Sequence, residues 1–257
     1  MTILPVSAWR RLGAAFALSL MPLAAAAGPA PAPGLVIAYH TRPANWLAFR
    51  SALKSDLLPR LEALRKAGAL RDFHLLLARD VDAEGWNATA LLDFAGAEGR
   101  ARWDAATAEA PAGLTPQDLA LTSAIDSTPV TLARGAAAER KPDHPVFLVI
   151  PYRVAVSDEA YLKYLDGYTL PQLKGWMGAG ILSRYAIYMG EYPAGRPWTA
   201  MLVLEYADEL ALGERDRVKA QVRETLARNP AWKAISDDKS NIRSELSAVV
   251  ASEAGAK

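Results

Sequence analysis

Apolar and polar positions along the chain fall into two matching series. Residues 35–39 (LVIAY) and 148–152 (LVIPY) are apolar, β-branched runs of strand length. After the first, Trp46, Phe49, Leu53, Leu57, Leu61 and Leu64 recur every three or four residues, forming one apolar stripe along a helix. After the second comes the helical pattern DEAYLKYLDGYTLPQLKGWMGAG. Gly68 and Gly180 stand where those helices close, and strand patterns follow at once, ALRDFHLLLAR and ILSRYAIYMGEY. A turn then leads to a third strand in each series, WNATALLDFA and WTAMLVLEYA. A second helix comes next, AEGRARWDAATAEA in one and the longer ELALGERDRVKAQVRETLARN in the other.

The two series keep a fixed spacing. Pro59 matches Pro171, Gly68 matches Gly180, Trp86 matches Trp198 and Phe94 matches Tyr206, each at an offset of 112 residues. Chance does not hold one offset across a proline, a glycine and a tryptophan, so an internal duplication of a β-α-β-β-α unit is expected. The fold class is then α+β, with two ferredoxin-like repeats at 35–135 and 146–250, joined by a linker at 136–145 and followed by a disordered tail at 251–257. Each repeat leaves one sheet face apolar and uncovered, and the other repeat covers it, sheet to sheet, as an intrachain barrel. The proline inside each first helix removes a hydrogen bond and costs roughly 3 kcal/mol. It marks either a kink or a plain break between two short helices.

A β-α-β-β-α unit with LP-x-L…AG-x-L in its first helix, used as a pair, resembles the dimeric α/β-barrel superfamily. Its EthD-like and NIPSNAP-like members are the most similar, here with both halves fused in one chain. The resemblance covers about residues 34–110 and 145–235. It implies a small-molecule ligand or a cofactor-independent oxygenase or isomerase, and leaves homodimerisation open. EthD-like members often carry a histidine two residues before the proline. Leu57 and Thr169 stand there instead, so chemistry that depends on that histidine is not expected.

Composition adds location more than chemistry. Arg10 and Arg11 precede an apolar core, Leu12 to Leu23, and AAAAG offers small residues for cleavage near Ala27. Residues 1–27 therefore read as a signal peptide, residues 28–34 as a flexible spacer, and the mature chain as an exported, periplasmic or secreted protein without a membrane anchor. There is no Cys, so neither disulfides nor thiol chemistry are available. Of the 29 basic and 28 acidic residues, cleavage removes the two arginines. A chain so near neutrality has no general attraction to nucleic acid.

Five residues are candidates for ligand contact. His40 ends the first strand and its aligned partner is Arg153, while His74 lies in the second strand. Alternation allows the two histidines to approach each other on a shared face, but without a matched carboxylate they fall short of the three or four ligands of a metal site. No metal and no cofactor is expected. Tyr164 and Tyr188 belong to a second half rich in Tyr and Trp, whose polar-tipped rings suit the wall of a pocket for a flat or apolar molecule, with Arg153 for an acid group. The plainer alternative for each is a core or rim residue. Lys239 and Arg243, one helical turn apart in a continuous helix, read as a solvated helix face.

Overall fold

The described residues of the computed structural model are 33–82 and 85–255, so the expected signal peptide and most of the spacer lie outside them. Strand β1 (Pro33–Thr41) leads into helix α1 (Trp46–Ala52), which continues as α2 (Leu58–Lys66). Strands β2 (Leu70–Ala78) and β3 (Ala88–Phe94) follow. Helix α3 (Ala97–Ala106), a short α4 (Pro116–Leu119) and the long strand β4 (Thr122–Ala137) complete the first set. The second set holds β5 (Val146–Val154), α5 (Asp158–Tyr164), α6 (Leu170–Gly178), β6 (Leu182–Gly190) and β7 (Ala200–Tyr206). Helices α7 (Glu209–Gly213), α8 (Arg215–Leu226) and α9 (Pro230–Ile242) come next. Strands β8 (Arg243–Glu245) and β9 (Val249–Glu253) end the described chain.

The first four strands run side by side in the order β4-β1-β3-β2, and the second set in the order β9-β5-β7-β6. The pairings β4–β6 and β2–β9 join the two runs, so eight antiparallel strands close into a barrel with no free edge among them. Strand β8 pairs with β5 beside β9. Two expectations need correction. The segment expected to be a disordered tail supplies part of β9, which lies between β2 and β5 with Ala251 fully buried. The β-α-β-β-α pattern read for the first repeat, 35–135, also omitted β4 as a strand, and β4 closes the other junction.

The helical stripe is buried as the sequence predicts. Trp46, Phe49, Leu53, Leu57 and Leu61 pack on the outer sheet face against Leu35, Ile37, Leu75 and Leu92. Burying one such side chain contributes roughly 1.5–3 kcal/mol. The proline does not split the helix. Leu53–Leu57 and Leu165–Thr169 are π-helical turns, in which Leu58 N–H bonds the Leu53 carbonyl and Leu170 N–H bonds that of Leu165. The wider turn re-phases the helix immediately ahead of Pro59 and Pro171, so the bond that proline cannot donate falls where the regular ladder is already interrupted. Gly68 and Gly180 close the helices at φ +73° and +76°.

Helix α3 is seated closely on the turn before β2. A Cβ at Gly99 would lie 2.2 Å from the Ala69 carbonyl oxygen, and that contact is with backbone. Gly99→Ala is therefore expected to cost about 3 kcal/mol, at the upper end of overpacking penalties. An unchanged urea midpoint would mean that α3 shifts freely on the sheet.

Candidate functional site

Alternate residues of the eight strands point into the barrel, and they fill most of it. Val36, Leu76, Leu91, Phe147, Val149, Tyr188 and Val203 form one buried cluster drawn from both halves. Beside His74 and Tyr188 only about 10 Å³ stays free, close to the room one water needs. Around these residues the space between the sheets is taken up by side chains, and the ligand expected there has no place beside His74 and Tyr188.

One end of the interior carries charge. Arg184 and Asp72, which stand 112 residues apart at matching positions, pair at 2.7 Å. His74 Nδ1 lies 2.9 Å from Glu253 Oε1, and the Tyr188 hydroxyl donates to Asp93 Oδ2 at 3.5 Å. Burial works against the charge of Asp72, but the Arg184 guanidinium and His74 outweigh it and hold this carboxyl below its ordinary value. For Asp93, burial wins and pushes the carboxyl up. At Glu253 burial again opposes ionisation, and the bond to His74 more than offsets it, so that carboxyl is lowered. His74 Nε2 is buried and has no hydrogen-bond partner among the described residues. Tyr188 is 2% exposed, and burial raises its hydroxyl far above the ordinary range.

The opposite end is hollow. A pocket of about 240 Å³ opens at the barrel mouth, walled by Ala38, His40 and Trp86 from the first half and by Pro151, Trp198 and Met201 from the second. The two tryptophans occupy matching positions in the sequence and are both nearly buried. His40 Nε2 is 3.3 Å from Asp126 Oδ2, and Nδ1 is 3.2 Å from the Gly85 carbonyl oxygen. Both partners are acceptors, so the ring satisfies them together only as an imidazolium; as the neutral ring it donates to one and frees the other nitrogen to take a proton.

Placement separates the five candidates. The register sets His74 level with Leu91 and Val36, four positions before His40 on β1, so the two histidines stand at opposite ends and do not meet. Arg153 is exposed, and its guanidinium donates to the carbonyl oxygens of Arg196 (3.1 Å) and Pro197 (2.9 Å), bracing the loop that carries Trp198. Tyr164 lies outside the barrel, stacked between Tyr161 and Tyr168 at 5.7 and 5.2 Å. Its hydroxyl accepts from Arg243 Nε at 2.8 Å. Arg243 is thus not on a solvated helix face: α9 ends at Ile242, and the extended backbone of Arg243 turns its side chain onto the Tyr152 ring, 3.8 Å from the centroid. Asp126 escaped the sequence reading because it lies on the overlooked strand β4. The matched tryptophans were visible as a repeated pair without a role.

No family model matches the chain, and no curated protein matches it in sequence. Solved structures match by shape at low identity. An anthrone oxidase-like protein aligns with a TM-score of 0.52 and 11% identity over 89% of this chain and 95% of its own. A chlorite dismutase variant from Candidatus Nitrospira defluvii aligns at 0.50 and 10%, over 88% and 92%. A proposed monooxygenase from Lactobacillus acidophilus NCFM aligns at 0.49 and 13%, over 86% and 93%. The chain has the α+β, closed antiparallel barrel fold of such dimeric α/β-barrel proteins.

Proposed function

We propose that this chain is an exported barrel of two fused ferredoxin-like repeats that binds a small apolar or aromatic molecule at its mouth, between the halves. The fused-repeat reading is supported by the 112-residue recurrence of elements and by the strand orders β4-β1-β3-β2 and β9-β5-β7-β6. The export reading rests on the leader-like residues 1–27. The observation that carries ligand binding is the 240 Å³ pocket faced by Trp86 and Trp198. A cavity of about 150 Å³ already holds benzene, and rigid aromatic walls bind flat molecules at low entropic cost.

A second reading is favoured by one observation, the His40–Asp126 pair at the rim of that pocket. A carboxylate orienting an imidazole beside an apolar pocket is the arrangement of a general base, which would make the protein a cofactor-independent oxygenase or isomerase. Calorimetric titration with 2-naphthol is expected to saturate with the wild type. His40→Ala separates the readings: unchanged affinity and no turnover by either form supports a binding protein, whereas a conversion lost with His40 supports the enzyme. A wild type that never saturates would overturn the ligand site.

A further inference from the structure

We propose a second site, for a small oxyanion, in the crevice between α8 and the outer sheet face of the second half. It lies on the other side of the sheet from the barrel interior and is independent of the mouth pocket. Helix α8 sets Arg215, Lys219 and Arg223 four residues apart, so all three occupy one helix face. They line a cavity of about 60 Å³, joined by Arg243 from β8 and by a single acid, Glu245. That volume corresponds to roughly four water-sized positions, which suits a phosphate or a carboxylate head group and excludes a large planar cofactor.

Like charges at successive helical turns cost a few tenths of a kcal/mol per pair, more where water is excluded, so such a stripe calls for compensation. Among the described residues, carboxylates do not supply most of it. Arg223 donates Nε to Gln172 Oε1 at 2.7 Å and Nη2 to the Tyr168 hydroxyl at 3.3 Å, both neutral. Arg243 is held by the Tyr164 hydroxyl and the Tyr152 ring, again neutral. Among the described residues only Arg215 has a carboxylate, the exposed Asp216 at 2.9 Å. Among the described residues Lys219 makes no ion pair, and burial followed by the charges of Arg215 and Arg223 holds its ammonium below the ordinary value. Two further donors are left over among the described residues, Arg215 Nε and the indole N–H of Trp176. Trp176 lines the crevice, is 6% exposed, and its indole N–H has no partner among the described residues. An indole N–H only donates, so this group and the cations around it ask for the same thing, an acceptor with negative charge.

The test uses inorganic phosphate and benzoate as separate probes of the whole protein, read by calorimetry. At least one probe is expected to saturate with Kd of about 1 mM or below. Phosphate alone would identify an inorganic type of oxyanion, benzoate alone an organic carboxylate, and both a shared head-group site. Lys219→Gln, at a half-buried position, is expected to weaken binding about tenfold, and Arg243→Lys, which keeps the charge but not the fork, to weaken it while the fold persists. Saturation by neither probe at that level, or a Lys219→Gln protein that binds as the wild type does, would overturn the site.

Discussion

Trp198→Ala is expected to lower stability by about 3–5 kcal/mol and to weaken 2-naphthol binding by roughly thirtyfold or more. Trp198 is 6% exposed, so truncation removes a large buried ring. Its surroundings have little freedom to collapse. The Thr199 N–H bonds the Tyr152 carbonyl at 2.9 Å, and Arg153 grips the two carbonyls just before the tryptophan. A cavity that stays open loses both the transfer energy and the contacts of its lining, which places the cost in the upper range. Trp86→Ala, from the facing wall, is expected to weaken binding to a similar degree. Trp198→Phe keeps most of the packing and is expected to recover most of the stability, so the binding loss can be read on a folded protein. Wild-type affinity in Trp198→Ala would place the ligand away from the mouth.

Much of this fold was legible because local and global preferences agree. The stripe Trp46 to Leu61 is helical by spacing, and in the structure the same residues face the sheet. Gly68 and Gly180 close helices because each takes a positive φ. The two closing strands were hidden for a physical reason. Strand β4 carries Pro129 and a half-solvated face, and β9 has five residues, so neither presents a long apolar run. Both are strands because a distant edge, β6 or β2, is there to pair with them, and pairing context outweighs intrinsic β preference. The site suffered from the same gap. Asp126 comes with β4 and Glu253 with β9, so each histidine lost its carboxylate when its strand was overlooked. Arg243 was misplaced by one residue of helix, enough to turn a half-buried, ring-packed cation into a surface one.

Arg184→Met is expected to destabilise the protein by about 3 kcal/mol near neutral pH, and the deficit is expected to shrink as the pH falls. Arg184 and Asp72 are 22% and 29% exposed, so removal of the cation leaves a mostly buried carboxylate with its charge unanswered, a loss of roughly 3–5 kcal/mol for full burial and somewhat less here. The sign of the pH effect follows from the direction of the Asp72 shift. In the wild type this carboxyl titrates below its unfolded value, so its contribution is present above about pH 4 and fades as the pH drops through the folded value. Without Arg184, burial is the largest influence left on Asp72, and the carboxyl moves up. Asp93, already raised by burial, also loses the lowering effect of Arg184 and moves the same way. In the variant, both groups therefore oppose folding while ionised and stop opposing it once protonated. Urea midpoints at pH 7 and pH 4 would read this directly, the gap between wild type and variant being wider at pH 7. A second change, Asp72→Asn in the Arg184→Met background, removes one of the unanswered charges and is expected to recover part of the loss at pH 7. A gap that is the same at both pH values would mean that Arg184 stabilises the barrel through its packed methylenes, and that the Asp72 pair contributes nothing of its own.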